Sequence, residues 1–439
     1  MKSQLKRILS SPVFITGFAF ALRMLLAYLG SRNGQTPART NVPYGFELGH
    51  VAASIAAGRG FSSPLRMVQT GPTVWFTPVY PYLVAAIFKL WGIYSDTSRI
   101  VIQTLNNGFA SLTIIPIYCI SRKTFGQGVA VGAAWAWVFL PTSLYYPMIW
   151  VWDTALVALV FSLIFWATLE MRERHGVLQW TGYGALWAVG VLINPSILSL
   201  FPFFVAWLVW EARKANVAWL KPVAAALLVF AIAMVPWTVR NYRVFGKFIV
   251  LRSNFGLELW LGNNPKVTDT MGQWQHPNDN REEAEKYQRM GEIPYMAEKQ
   301  QEAVAYMRTH PADTLNLIFR RFEINWLAFS DSPVDVWVNH TASAKTFLAL
   351  TAALSLLCLL GTLYASRAGL PEAFPFAMVL LVFPLVFYVT HASSRYRFPI
   401  DPIMLILATN AVAHLLTLAR SGNANVKKTV SPASSIPAI

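Results

Sequence analysis

The run SPVFITGFAFALRMLLAYLG, from Ser11 to Gly30, decides the fold class, because Arg23 is its one charged residue. A helix needs about 20 mostly apolar residues to cross the hydrocarbon core of a bilayer. The whole chain has 439 residues, of which 55% are hydrophobic and 13% are charged, whereas soluble domains carry about 25% charged residues. The composition therefore excludes a soluble globular protein and predicts a chain that spans a membrane.

Ten apolar runs are predicted to cross the membrane, which makes the fold class an all-α polytopic membrane protein. The predicted runs are Ser11 to Gly30, Arg99 to Ile120, Val129 to Pro147, Thr154 to Leu169, Tyr183 to Ile193, Ile197 to Trp210, Val223 to Trp237, Ala344 to Tyr364, Phe376 to Thr390, and Pro402 to Leu418. Short loops rich in lysine and arginine stay cytoplasmic, so both termini are expected inside. The shorter run from Val79 to Trp91 is expected to lie on the outer membrane surface, because an eleventh span would place Arg122 and Lys123 outside.

Two long polar stretches are expected to face the outside. The first belongs to an outer loop at 31–98, which should hold juxtamembrane helices, and the second is a small outer (periplasmic) subdomain at 240–343. The remaining predicted units are an amino-terminal transmembrane bundle at 1–239, which contains the first outer loop, and carboxy-terminal transmembrane helices at 344–420. Residues 421–439 are expected to form a disordered cytoplasmic tail.

Several classes of function are disfavoured by the sequence. The formal net charge of +15 does not indicate nucleic-acid binding, because the lysines and arginines are scattered through short loops. Cys119 and Cys358 both lie in apolar runs, where a free thiol behaves as a small hydrophobic group. The sequence contains no dinucleotide-binding glycine motif and no His or Cys cluster with the spacing of transition-metal ligands.

Two acidic residues are candidates for chemistry. Glu47 and His50 begin an amphipathic segment in the first outer loop, and a carboxylate on a short helix at the bilayer surface can act as a general base. Glu47 can equally serve only to stabilise the helix amino terminus. Asp153 is the first polar residue before a long apolar run, which suggests a functional site or a helix N-cap. For both residues the local motif leaves the two interpretations open.

Positive charge on the outer side points to a phosphate. One basic cluster follows the seventh apolar run and consists of Arg240, Arg243, Lys247 and Arg252. A second cluster, with Arg395 and Arg397, follows the ninth run. Arginine guanidinium groups match phosphate oxygens in bidentate geometry. Anchoring in lipid headgroups is the alternative, and the close alternation of the last two arginines with Tyr396 disfavours it.

Several motifs occur in a shared order along nearly the whole chain. They are Glu47 before Ala-Ala-Gly-Arg-Gly-Phe61, Thr77-Pro-Val-Tyr-Pro-Tyr82, Trp152-Asp153-Thr154, Pro236-Trp-Thr-Val-Arg240-Asn241, Gly262-Asn-Asn-Pro265, and Arg395-Tyr-Arg397-Phe-Pro. This series resembles the polytopic C-type glycosyltransferases of family 39, the branch with the protein O-mannosyltransferases and the lipid A aminoarabinose transferase. Members of that family usually carry aspartate where this chain has Glu47.

The resemblance implies roles for particular residues. Glu47 would be the catalytic base and Asp153 a second acidic residue in or near the same site. The donor phosphate would be held by arginines among Arg240, Arg243, Arg395 and Arg397. Further substrate-site candidates are Tyr44, His50, Tyr80, Tyr82, His391 and Tyr396. The resemblance implies no certain cofactor and leaves a divalent metal open.

The implied reaction is an inverting transfer of a sugar from a polyprenyl-phosphate donor to a lipid, glycan or protein acceptor. The expected location is a bacterial inner membrane, with membrane lipids around the bundle and the active site facing the periplasm. The main alternative is a transporter or flippase of lipid-linked sugars, which should have a polar path through its bundle. An assembly factor of an envelope complex is a further alternative. Because the candidate residues gather at one face, the sequence favours an enzyme.

Overall fold

A computed structural model describes residues 2–32, 46–149, 151–267, 272–327 and 341–429. These residues are mostly helical, and no β-strand occurs among them beyond one isolated bridge between Ser62 and Pro72. Lipid offers no hydrogen bonds to backbone groups, and a helix makes its backbone hydrogen bonds within itself, so helices are expected for this sequence. The predicted all-α polytopic fold class is confirmed.

Helices follow one another along the described residues with short connections. In the first part of the chain they are α1 (Lys2–Leu9), α2 (Pro12–Arg32), α3 (Phe46–Ala56), α4 (Val79–Trp91), α5 (Asp96–Leu112), α6 (Ile114–Phe125), α7 (Gln127–Phe139), α8 (Pro141–Ile149), α9 (Thr154–Met171), α10 (Val177–Ile193), α11 (Phe201–Lys214) and α12 (Leu220–Phe245). In the second part they are α13 (Phe255–Gly262), α14 (Arg281–Met290), α15 (Glu292–Thr309), α16 (Pro311–Leu327), α17 (Ala342–Arg367), α18 (Ala373–Val382), α19 (Leu385–Val389) and α20 (Asp401–Thr429). Short 3₁₀ helices occur at Pro195–Leu200, Gln273–Gln275 and Ser394–Ile400.

Most of the predicted spans are long helices. Within the described residues, seven helical segments are long and apolar enough to cross a membrane, and α7 with α8 makes an eighth if this bent pair is one span. The other two predicted spans correspond to α10 and to α18 with α19, which are shorter apolar segments. The run from Val79 to Trp91 forms the 13-residue helix α4. All ten predicted runs are therefore largely helical.

Arg23 in α2 is fully buried and stabilises the bend between α7 and α8. Its guanidinium donates to the carbonyl oxygens of Trp137 and Ser143, both at 3.3 Å, and to the Ser143 hydroxyl at 3.2 Å. A break in a helix leaves backbone carbonyls without their usual partners. Because Arg23 supplies those partners and also donates to Ser111, it joins α2, α5 and the bent pair.

Two helix pairs of the bundle approach each other very closely at glycines. A side chain at Gly184 of α10 would overlap the backbone of Ala226 in α12, and one at Gly361 of α17 would overlap the backbone of Leu407 in α20. Small residues allow membrane helices to pack backbone against backbone. These contacts set the distance between the two helices of each pair.

Glu292, at the start of α15, joins segments from the two long polar stretches of the chain. Its carboxylate accepts hydrogen bonds from the Thr73 hydroxyl, the Val74 amide, the Ser253 hydroxyl and the Tyr287 hydroxyl. Glu292 is only 5% exposed, so a carboxylate there requires such partners. It ties the first polar stretch to the second and so fixes the surroundings of the site.

Candidate active site

One cavity of about 420 Å³ brings together residues from distant parts of the chain. Its walls come from the start of α3, from residues 75–77 and 152–154, from the end of α10, from 251–261, from 276–279 and from 386–399. Glu47 and Asp153, the two acidic residues predicted to share a site, both line it. The cavity is therefore the candidate place for chemistry.

Glu47 lies in the first turn of α3 and is 8% exposed. The Asn278 side-chain amide donates a 2.6 Å hydrogen bond to its Oε1, and His276 Nε2 lies 3.3 Å from the same oxygen. Burial raises the pKa of Glu47, while His276 and the bond from Asn278 act in the opposite direction. The preceding residue, Phe46, has a φ of 45°, which is uncommon for a non-glycine residue. A buried carboxylate with a raised pKa suits a general base.

Asp153 occupies the N-cap position of α9 but makes no side-chain capping bond. Its Oδ2 instead accepts a 2.9 Å hydrogen bond from the Asn194 amide. Burial raises the pKa of Asp153 to about 6, although Asn194, Arg395 and Arg252 each act to lower it. Helix capping therefore does not account for this residue, and its carboxylate is held inside the cavity wall.

Two arginines line the cavity near Asp153. The guanidinium carbon of Arg395 lies 4.2 Å from the ring centroid of Trp152 and 5.3 Å from that of Tyr396. Arg252, which the sequence showed only as a member of a basic cluster, also lines the cavity. These two residues place positive charge beside the acidic groups.

The other three predicted phosphate-binding arginines do not line this cavity. Arg240 donates to the carbonyl oxygens of Thr73 at 2.7 Å and Phe61 at 2.9 Å. Arg397 forms a buried ion pair with Asp401 at 2.8 Å. Arg243 is exposed on α12. The structure thus brings Arg395 alone of the four predicted arginines to the cavity.

The remaining predicted substrate-site residues are divided in the same way. His391 and Tyr396 line the cavity. The structure places three others elsewhere. His50 lies beside the Tyr94 hydroxyl, the Tyr80 hydroxyl donates a hydrogen bond to the Asn106 side chain, and the Tyr82 ring packs against Phe61. Tyr44 lies outside the described residues. Two of the six are therefore located at the cavity.

Glu258 is a cavity residue that the sequence reasoning missed. Burial by itself would raise its pKa, but the hydrogen bond and ion pair with His391, together with the charge of Arg252, outweigh burial and lower the pKa to about 2. The available signal was an acidic residue inside the apolar stretch FGLELWLG of α13. His276, Asn194 and Asn278 were missed as well, since single polar residues in loops carry no local signature.

A metal site was sought among the side chains of the described residues. Among the described residues, no three His, Cys, Asp or Glu side chains are grouped so that they could hold a metal ion. Glu47, Asp153 and Glu258 nonetheless line one cavity, and carboxylate oxygens are ligands of hard divalent cations. The expectation about a divalent metal stays a prediction, and no step of the reaction is assigned to one.

Part of the chain matches a family known from sequence. Residues 75–239 match the family described as dolichyl-phosphate-mannose-protein mannosyltransferase. The matched part includes Asp153, ends one residue before Arg240, and covers less than half of the chain. No curated protein sequence was found to be similar to the chain.

Solved structures of the oligosaccharyltransferase AglB from Archaeoglobus fulgidus share the fold. The complex with an inhibitory peptide and a dolichol-phosphate has a TM-score of 0.56 at 14% identity, covering 97% of this chain and 52% of that one. The enzyme tethered to an acceptor peptide has a TM-score of 0.55 at 15% identity, covering 92% and 50%. The predicted resemblance to the C-type glycosyltransferases is confirmed.

A further C-type structure, of AglB in complex with Zn and sulfate, has a TM-score of 0.52 at 14% identity and covers 92% of this chain and 49% of that one. The chain spans about half the length of the AglB chains that it matches. At this identity the AglB structures show the C-type fold, and the sequence match adds support for a glycosyltransferase.

Proposed function

We propose that the chain is an inverting glycosyltransferase that moves a sugar from a polyprenyl-phosphate donor to an acceptor hydroxyl. The observation that carries the proposal is the single cavity in which Glu47, Asp153 and Arg395 meet. This reaction needs a base for the acceptor proton and positive charge for the leaving phosphate, and the cavity holds both. The family description and the fold agree with such an enzyme.

Glu47 acts on the acceptor. Its buried carboxylate, held by Asn278 and His276, takes the proton from the acceptor hydroxyl as the oxygen attacks the anomeric carbon. The new bond forms between that oxygen and the anomeric carbon, while the bond from the anomeric carbon to the phosphate oxygen breaks. Attack from the side opposite the leaving phosphate inverts the configuration at this carbon.

Arg395 and Arg252 act on the donor. Both line the cavity, and arginine stabilises the negative charge that develops on a leaving phosphate when it is already in place before the reaction. Contact with the Trp152 ring helps to hold the Arg395 guanidinium in the cavity wall. Asp153 lies near both arginines, whose charges act to lower its pKa. We therefore assign the donor phosphate to Arg395 and Arg252.

The donor class has support from the comparisons. The matched family is described by a dolichyl-phosphate-mannose substrate, and one AglB structure contains a dolichol-phosphate. A lipid phosphate also suits a cavity at the end of membrane helices, where the carrier tail can stay in the bilayer. We place the reaction on the periplasmic face of a bacterial inner membrane, because the polar stretches that form the cavity are those expected outside.

The first test is transfer of radiolabel from polyprenyl-phosphate sugars to membrane acceptors by the purified, reconstituted protein. Glu47→Gln is expected to lower the transfer rate by about 10²–10⁴-fold, the usual contribution of a general base. Glu285→Gln is the matched control, because Glu285 is partly exposed and pairs with Arg281 away from the cavity.

Equal transfer by the wild type and Glu47→Gln would remove Glu47 from catalysis. No transfer by the wild type across a panel of such donors would favour the transporter or flippase alternative instead. Transfer by the control at the wild-type rate shows that the loss in Glu47→Gln is specific to this carboxylate.

A further inference from the structure

A second polar group lies on the cavity wall formed by α13 and the segment after α19. Glu258 is its centre, and the side chains of Asn254 and His391 both donate hydrogen bonds to the Glu258 carboxylate, with Asn254 Nδ2 at 2.6 Å. All three residues line the cavity. The proposed mechanism gives none of them a role.

The side chain of Asn254 is oriented in an unusual way for its position. Asparagine at a helix N-cap normally accepts a hydrogen bond from the first turn, but Asn254 caps α13 without any such bond. Because a carboxylate only accepts hydrogen bonds, the Asn254 amide nitrogen must face Glu258. Its Oδ1 then points away, is buried, and has no hydrogen-bond partner among the described residues.

His391 shows the same pattern on the other side of Glu258. The ring is 3% exposed and its Nε2 bonds to the Glu258 carboxylate. Its Nδ1 is buried and has no hydrogen-bond partner in the part of the chain that the structure describes. Buried polar atoms are nearly always paired. Asn254 and His391 thus bond to one carboxylate in one cavity, and each has a second polar atom without a partner among the described residues. A ligand that forms hydrogen bonds with both atoms best explains this arrangement.

The neighbours of His391 indicate which ligand this is. The His391 ring lies 5.5 Å from the ring of Tyr396, whose own ring lies 5.3 Å from the Arg395 guanidinium. The polar group is thus next to the arginine assigned to the donor phosphate. In a polyprenyl-phosphate sugar the sugar ring is joined directly to that phosphate, so the ring is within reach of His391.

We propose that Asn254 and His391, oriented by Glu258, bind two hydroxyl groups of the donor sugar. This subsite rests on the proposed function, because it takes the sugar from the donor assigned there. A hydroxyl can donate to Asn254 Oδ1, and it can pair with His391 Nδ1 whether that nitrogen donates or accepts.

The test compares binding of a polyprenyl-phosphate sugar with binding of bare polyprenyl phosphate to the purified full chain. The wild type is expected to prefer the sugar-bearing lipid by about tenfold, which corresponds to two neutral hydrogen bonds. The variants His391→Phe and Asn254→Leu should lose that preference while they keep the affinity for the bare lipid. His310→Phe is the matched control, because His310 is exposed and stacks on Tyr306.

Affinity for the bare lipid reports folding and the phosphate site, so a change in preference alone reports the subsite. Should either variant lose both affinities, Glu258→Gln replaces it, with the same loss of preference expected. Retention of the preference in all three variants would overturn the subsite even if the wild type transfers sugar. A wild type that shows the preference but transfers no sugar would remove the proposed function and leave the subsite. Variants that keep the preference but have a higher KM for the acceptor in the transfer assay would reassign the hydroxyl groups to the acceptor and overturn the donor subsite.

Discussion

The acidity of Glu47 is set by a balance between burial and its neighbours. Burial raises the pKa, and both His276 and Asn278 restrain that rise. Glu47 can accept a proton only when it is ionised, so activity is present above its pKa and is lost as the pH falls through it. The position of the acidic limb of the pH–rate profile is therefore a property of these neighbours.

Replacing His276 by alanine should shift that limb. Without His276, which acts to lower the pKa of Glu47, the pKa rises further and transfer is lost at a higher pH than in the wild type. The measurement is kcat against pH, with His310→Ala as the control. Asp153, with its pKa of about 6, contributes to the same limb, so the comparison rests on the shift between proteins. An unmoved limb, or one moved to lower pH, would contradict the assignment of Glu47 as the base.

Single residues were predictable from sequence only where a local motif exposed them. Glu47 and Asp153 each introduce an apolar helix, and the charge stands out there. The sequence could not tell which arginines line the cavity. It does not show that the Arg240 guanidinium donates its hydrogen bonds to backbone carbonyls, or that Arg252 lines the cavity. Contacts between segments that are far apart in sequence decide which guanidinium groups already have hydrogen-bond partners within the protein.

At the level of elements, Arg321 holds the ends of two helices together. It lies in α16, is fully buried, and donates to the carbonyl oxygens of Gly262, Tyr388 and Val389. The last carbonyls of a helix lack partners within the helix, and Arg321 supplies them at the ends of α13 and α19. Glu258 on α13 and His391 after α19 are thereby kept at a fixed separation.

Gly262 is where these two ends touch, and it provides a test at this scale. A side chain there would overlap the carbonyl oxygen of Thr390, so Gly262→Ala must push the ends apart. We expect a loss of about 1–3 kcal/mol in stability, as in other overpacked sites, together with slower transfer. Thermal unfolding in detergent and the transfer rate measure both effects.

Gly182→Ala is the control for that substitution, because nothing lies within 4 Å of an added side chain at Gly182. Equal melting temperatures for Gly262→Ala and Gly182→Ala would show that the contact between α13 and the end of α19 is not tight.

The elements themselves were largely predictable, since lipid leaves an apolar run of this length little choice except a helix. The break at the start of α8 was not predicted, because the run from Val129 to Pro147 reads as continuous. Its cause is present in the sequence: Pro141 cannot continue α7. The small helix α13 was not predicted either, because short helices in a polar stretch depend on packing against other elements.

For the whole molecule, the cavity is an assembly of segments that no single domain supplies. Parts of the first polar stretch, the start of α9, α13 and the segment before α20 all contribute walls. Glu292 is one of the connections among the polar segments, through four hydrogen-bond donors. Local sequence patterns could not predict this assembly, because its members are far apart in sequence.

Glu292→Gln should weaken that assembly. The amide nitrogen of glutamine cannot accept a hydrogen bond, so at least one of the buried donors loses its partner, at a cost of about 1–3 kcal/mol. A lower melting temperature and reduced transfer are expected, with Glu282→Gln as the control because Glu282 is exposed at the start of α14. Equal melting temperatures for Glu292→Gln and Glu282→Gln would show that Glu292 does not hold the polar segments in place.

The position of Arg23 has a consequence for the synthesis of the protein. Its partners Ser111, Trp137 and Ser143 all leave the ribosome after α2 does. A charge at the centre of a membrane helix costs about 2.5–3.5 kcal/mol on scales of helix insertion, and until those partners arrive nothing in α2 offsets that cost for Arg23. The hydrogen bonds of Arg23 in α2 are thus completed only by residues made much later, so the insertion of α2 is coupled in time to that of the bent pair.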